Sequence, residues 1–267
     1  MRKTFRSKNN YEYWRERWID INADEPMVNQ NYYPLKYSNM VISDKDQIIL
    51  EAGCGAGRIL RYYHENNYNI FGIDFIAEAI KKLKKVDPSL KAEVGNILNL
   101  DFKNDYFDVV LAFGLYHNFH SEKLHKSISE TFRVLKQGGK LCASFRADNI
   151  QELIVDWIRK DNKNKHQEFH KLNLSKKEFS KLFEDNGFSV ENIFSVQNMP
   201  FLYKFKFFRS TDHKVFDENK ARLEGYKLSS FGQLIQKILL RFFPDNFCNI
   251  YLMIATKKWF IKYLGTI

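Results

Sequence analysis

Glu51 stands just ahead of three glycines at alternate positions, Gly53, Gly55 and Gly57, and a short apolar run, Gln47-Ile48-Ile49-Leu50, leads into it. A strand that turns sharply into a helix, with its backbone open to a ligand, needs glycine at such a spacing. Glycine permits both the unusual dihedrals and the close approach. The carboxylate decides what kind of ligand is expected. A helix N-terminus favours anions, yet a pyrophosphate arriving there would be repelled by Glu51. The dinucleotide fingerprint G-x-G-x-x-G is also broken: Gly53 and Gly55 fit, but Arg58 occupies the place of the third glycine and the glycine comes one residue early, at Gly57. NAD and NADP are therefore not expected to bind, and a ligand carrying an ammonium suits the site better. A second apolar run, Asn69-Ile70-Phe71-Gly72-Ile73-Asp74, ends in a carboxylate at about the offset where doubly wound folds bind a ribose. An acceptor there can take both ribose hydroxyls.

Three more segments follow in order: Lys91-Ala92-Glu93-Val94-Gly95-Asn96-Ile97, the buried-strand pattern Tyr106-Phe107-Asp108-Val109-Val110-Leu111-Ala112-Phe113-Gly114, and Phe132-Arg133-Val134-Leu135-Lys136-Gln137-Gly138-Gly139-Lys140-Leu141. Together with the glycine loop and Asp74, they resemble the ordered motifs of the class I S-adenosylmethionine (AdoMet) methyltransferases, of the type 11/25-like kind. The resemblance is close over roughly residues 47–147. It implies AdoMet as cofactor, held by Glu51, Ala52, Gly53, Cys54, Gly55, Gly57, Asp74, Phe75, Asn96, Ile97, Ala112 and Phe113. Asn96 stands where the family often has Asp; an amide can still accept from the adenine amino group, and it can donate as well.

The resemblance puts the acceptor at the carboxyl ends of the fourth and fifth strands, where open α/β sheets bind ligands in general. That edge carries Phe113-Gly114-Leu115-Tyr116-His117-Asn118-Phe119-His120. His117 and Tyr116 are the candidates for a catalytic polar group facing the methyl; His117 could instead brace the loop. A base helps where the nucleophile is a protonated oxygen or nitrogen. Arg146 could hold an anionic group of the substrate or pair with Asp148. His166 and His170 have the spacing of metal ligands on a helix face, but no third ligand accompanies them, so no metal is expected.

Helices are read at about 57–66, 76–86, 121–136 and 175–186, with Ser121 and Ser175 as N-caps, Glu178 completing a capping box, and Gly187 as a stop. Strands are read near 47–51, 69–74, 91–94, 107–113, 139–145, 188–194 and 249–256. The alternation predicts an α/β fold: a Rossmann-like, doubly wound, seven-stranded sheet, mostly parallel. By resemblance the last strand is antiparallel. Residues 1–45, with Tyr11, Tyr13, Trp14 and Trp18 at helical intervals, form an N-terminal segment that folds over the cofactor or packs on the sheet edge. The core is expected over 46–196 and 248–258. Residues 197–247 are an insertion before the last strand, expected as a cap over the acceptor pocket or an interface. Within it Phe201, Tyr203, Phe205 and Phe207 alternate with lysines as in a strand. Phe231, Leu234, Ile235, Ile238, Leu239 and Phe242 lie at helical spacing.

The 267 residues allow one α/β domain with additions, and 16% aromatic content can supply a large core or an apolar pocket. Low mean hydropathy argues against an integral membrane protein. No apolar stretch follows the basic N-terminus, and three scattered cysteines lack metal spacing, so a cytoplasmic protein with reduced thiols is expected. The net charge of +10 is read as a solvated, lysine-rich surface. No nucleic-acid module is recognisable. The expected activity is methyl transfer from AdoMet to a small-molecule or lipid-like acceptor. An RNA or protein methyltransferase, or a module that binds AdoMet without catalysis, is the alternative. A homodimer and peripheral membrane contact stay open.

Overall fold

A strand covered by helices on both sides reads as an unbroken apolar run rather than an alternating one. Residues 109–112 obey that rule and residues 49–52 depart from it only at Glu51, and the protein is built around them. The structure, a computed structural model, describes residues 1–20, 26–158, 168–210 and 226–259. From the N-terminus, β1 (Arg2–Arg6), α1 (Asn10–Asp20) and α2 (Leu35–Ser38) precede β2 (Ile49–Ala52), α3 (Arg58–Glu65), β3 (Ile70–Asp74), α4 (Ala77–Val86) and β4 (Ala92–Val94). Then come β5 (Phe107–Ala112), α5 (Ser121–Val134), β6 (Leu135–Ala147), α6 (Ile150–Ile158), β7 (Glu168–Leu174), α7 (Lys176–Glu184) and β8 (Phe188–Val196). The chain closes through α8 (Ser230–Phe242), α9 (Pro244–Phe247) and β9 (Ile250–Lys257).

Side chains alternate between the two faces of a strand, and here each face has its own core. Leu50, Ala52, Val110, Ala112, Leu141 and Ala143 pack with Leu124 and Ile128 of α5 and Phe179 and Phe183 of α7. Ile49, Val109, Leu111 and Cys142 pack on the other side with Ile59, Leu60 and Tyr63 of α3 and Ile80 and Leu83 of α4. The result is the expected doubly wound α/β fold, with β9 antiparallel to β6.

Among the described residues the sheet has nine strands, not seven, in the order β1-β7-β6-β5-β2-β3-β4, with β9 on β6 and β8 on β9. The difference comes from the length of β6. β9 takes one edge of β6 from Lys140 to Arg146, while β5 covers the other edge only as far as Ala143. Beyond the end of β5, Arg146 and Ala147 pair with Asn173 and Leu174 of β7, and β1 then pairs antiparallel with β7. β1 carries three basic residues in five and is only partly buried, as suits an edge strand; its sequence lacks the apolar alternation by which strands are recognised.

Three local expectations are corrected. Residues 201–208 form two 3-10 turns, Phe201–Lys204 and Lys206–Phe208, rather than a strand. Three of the four aromatics face a small third core or its rim: Phe201 and Tyr203 are buried with Leu202, Val155 and Leu228, and Phe205 packs against them, while Phe207 is exposed. Ser121 does not cap α5: it is the first helical residue, at φ 52°, and its hydroxyl meets the neighbouring His120 ring. His170 lies on β7, not on a helix, and His166 is outside the described residues. The capping box at Ser175 forms as expected, with Ser175 Oγ accepting from the Glu178 N–H and the Glu178 carboxylate accepting from the Ser175 N–H. Among the described residues, no helix is long and apolar enough to cross a membrane.

Candidate cofactor and acceptor site

The carboxyl ends of β2, β3, β5 and β6 open into a cavity of about 580 Å³. Its floor is the glycine loop. The N–H groups of Gly53 and Cys54 both donate to the Ile73 carbonyl, at 2.8 and 2.9 Å, which ties the loop to β3. Gly55 needs its lack of a side chain on two counts. It sits at φ +52°, and a Cβ there would lie 2.5 Å from the Trp18 ring. Two carboxylates face this floor. Asp74 is 8% exposed and is gripped by backbone, with Oδ2 accepting from the Gly55 N–H at 2.8 Å and Oδ1 from the Ile76 N–H at 2.9 Å. Burial raises its pKa, and those backbone bonds oppose the rise. Glu51 is 5% exposed, and its Oε2 is buried without a hydrogen-bond partner. Burial pushes its carboxyl up to about 8, against the opposing pull of a backbone bond at Leu60 and of Arg58.

The roof comes from the N-terminal segment. Asn10, Tyr11, Trp14, Arg17 and Trp18 of α1 line the cavity. α1 is held there by hydrogen bonds from Asn10 Nδ2 to the Asn118 carbonyl (2.9 Å) and from Trp14 Nε1 to Asn118 Oδ1 (3.2 Å). An Arg15–Glu78 ion pair joins it to α4. Tyr33 closes one side, its hydroxyl 2.9 Å from Ser144 Oγ, which also accepts from the Gly114 N–H. β1 packs on the sheet edge, and α1 covers the cavity.

Of the residues expected to hold the cofactor, Glu51, Gly53, Cys54, Gly55, Gly57, Asp74, Phe75, Asn96, Ile97 and Phe113 line the cavity. Ala52 and Ala112 do not; both are fully buried in the sheet and back the site from behind. Asn96 Oδ1 already accepts from the Leu98 N–H at 3.0 Å, which leaves its amide protons to donate. Of the two catalytic candidates, His117 lines the cavity and Tyr116 does not. Tyr116 is wholly buried, its hydroxyl 2.7 Å from Thr131 Oγ1 and its ring edge-on to Phe183, so it is a core residue and is withdrawn as a catalytic group. His117 is 6% exposed, and its Nδ1 is buried without a partner. Burial holds its pKa well below the ordinary value, helped by the positive charges of Arg146 and Lys171, so the imidazole is neutral near neutral pH. Arg146 also lines the cavity, whereas Asp148 pairs with Arg2 at 2.8 Å.

Residues 197–247 lie between β8 and β9. Of those described, only Asn198 lines this cavity, and Phe201 and Phe205 point into the separate small core. Residues 211–225 lie outside the described residues. What sequence reasoning missed is Asn10, Arg17, Asn118 and Ser144. Asn10 and Asn118 come into view only once α1 is seen lying across the turn after β5, and Ser144 once Tyr33 is seen closing one side. Among the described residues, no cluster of three or more His, Cys, Asp or Glu side chains could hold a metal ion.

Residues 50–143 match the Methyltransf_11 family, described as a methyltransferase domain. The chain contains a class I methyltransferase domain. It is 31% identical over 161 residues to an uncharacterized protein of Methanocaldococcus jannaschii, covering 60% of this chain and 63% of that one. It is 26% identical over 125 residues to a malonyl-[acyl-carrier protein] O-methyltransferase of Pectobacterium atrosepticum, covering 45% of this chain and 47% of the other. The chain thus spans about half to two-thirds of the length of these relatives. An AdoMet-dependent methyltransferase of Methanosarcina mazei shares the fold, with a TM-score of 0.56 at 21% identity over 85% of this chain and 98% of that one. A methyltransferase domain of this class takes AdoMet as its methyl donor, and the cavity floor fits that molecule: a buried carboxylate oxygen without a partner suits its ammonium, and the bare glycine loop leaves room for close approach.

Proposed function

We propose that this protein transfers a methyl group from AdoMet to a small-molecule or lipid-like acceptor. The observation that carries the reading is a covered cavity with both carboxylates on its floor and a neutral histidine at its far end. Glu51 holds the donor's ammonium, Asp74 takes the ribose hydroxyls, and Asn96 and Ile97 flank the adenine. Bound AdoMet supplies an electrophilic methyl group. The chain's own contribution is then to align the acceptor in line with that methyl and to keep water out, which can provide much of a transfer rate. α1 and Tyr33 do the covering. His117 Nδ1, buried and unpartnered, is placed to take the acceptor's proton where the nucleophile is an O–H or N–H group.

The acceptor is read as small because α1 lies over the cavity, and the cavity's volume of about 580 Å³ must hold the donor as well. A relative named for methylating a malonyl-acyl carrier adds support for an acyl-type acceptor. Residues 1–45 are proposed to be the cap of the donor site. The described residues of 197–247, α8 and α9 among them, are proposed to form a side module with α6. The test is incubation of the protein with methyl-labelled AdoMet and fractionated cell extract. Label in a small-molecule or lipid fraction supports the reading, and label confined to RNA or protein replaces it.

A further inference from the structure

We infer that the acceptor carries an anionic group, a carboxylate or a phosphate monoester on an apolar body, and that Arg146 seats it. The inference rests on the methyl-transfer reading above and names the substrate class of that site. The carboxylates of the cavity are gathered at one end, with Arg58 of the glycine loop beside them. Among the described lining residues they are Glu51 and Asp74, which stand together at the ends of β2 and β3. The described residues of the opposite wall include the cations Arg146 and Lys123 and no acid. A donor with an ammonium, a sulfonium and one carboxylate carries a net positive charge and is attracted to the first wall, and an anionic acceptor to the second. The two ligands then attract one another across the reacting centre instead of repelling.

Arg146 is well built for the task. Its backbone is pinned on both edges, to Ile250 of β9 and Asn173 of β7, so its side chain starts from a fixed point. A guanidinium presents a planar fork that matches a carboxylate or phosphate with two parallel hydrogen bonds. Phe145 and Phe169 line the same wall and offer apolar surface to the rest of the molecule. Arg146 and Lys171 stand close enough to the buried His117 ring to add to the effect of burial in holding its pKa down.

Calorimetry on the whole protein separates this inference from the reading beneath it. S-adenosylhomocysteine is titrated first, and its binding checks the donor site; no binding overturns the donor reading and the inference with it. The loaded protein is then titrated with decanoate, decyl phosphate and the neutral decanamide. At least one of the two anions should bind roughly tenfold or more tightly than decanamide, the amount expected of a charge-assisted hydrogen bond, and the better of the two tells carboxylate from phosphate. Arg146→Gln should remove that preference with S-adenosylhomocysteine affinity unchanged, and Arg146→Lys should retain part of it. Decanamide binding as well as both anions, no anion binding to the loaded protein, or an undiminished preference in Arg146→Gln overturns the inference.

Discussion

Replacing Glu51 by Gln tests the donor site through protons as well as affinity. The Glu51 carboxyl is pushed by burial to about 8. Near pH 7 such a group is about nine-tenths protonated, by the ordinary titration relation. An ammonium beside it favours the carboxylate, so binding of S-adenosylhomocysteine, which carries that ammonium, should expel about 0.9 proton from this residue. Titration calorimetry at one pH in phosphate and in Tris reads the release, because the two buffers take up protons with different heats. Glutamine cannot titrate, so the release should fall by that amount in Glu51→Gln. Any contribution from the ligand's own amine is common to both proteins and cancels. Affinity should fall by about 1.5–3 kcal/mol, the value of a hydrogen bond to a charged group. The same shift has a stability consequence. The folded pKa stands above the ordinary 4.5, so the stabilising contribution is complete below about pH 4.5 and is lost as pH rises towards about 8. The unliganded protein should therefore lose melting temperature across that window relative to Glu51→Gln. Equal proton release and equal affinity in the two proteins would refute the assignment of Glu51 to the ammonium.

Asp74→Ala should weaken S-adenosylhomocysteine binding by about 1–3 kcal/mol for each charge-assisted ribose bond lost, and unchanged affinity by calorimetry would remove the ribose assignment. Phe201→Ala, at a site 4% exposed in the small third core, should cost about 3–5 kcal/mol in urea denaturation yet leave donor affinity intact; a selective loss of ligand binding would restore the insertion as a lid. Tyr116→Phe deletes the 2.7 Å contact with Thr131 and should cost about 1 kcal/mol of stability with little change in transfer rate. A rate loss of a hundredfold would return Tyr116 to the chemistry.

The donor half of the site was legible in the sequence because its signals are local. Glycine spacing, the acid ahead of it and an acid at the next strand end all act within a few residues of where they stand. Ten of the twelve residues expected to hold the cofactor line the cavity, and the two that do not, Ala52 and Ala112, are strand residues whose side chains face the core behind it. The acceptor half depends on tertiary placement. Tyr116 and His117 are neighbours with equal claims in sequence, and only the 3-10 turn that carries them sends one into the core and the other to the cavity. The extra strands were missed because β1 and β7 are short on apolar residues and gain their place from the unpaired end of β6. The aromatic run at 201–207 misled by its alternation: a period of two suggested a strand, but the chain there bends through two tight turns whose aromatics meet α6, α8 and α9.

Transfer of labelled methyl from AdoMet is the most direct test of the account. The whole protein, incubated with methyl-labelled AdoMet and a fractionated extract, should place label in small-molecule or lipid material, and Glu51→Gln should reduce the yield at limiting AdoMet. Binding of AdoMet with no label transferred to any fraction, or label found only in RNA or protein, would contradict it.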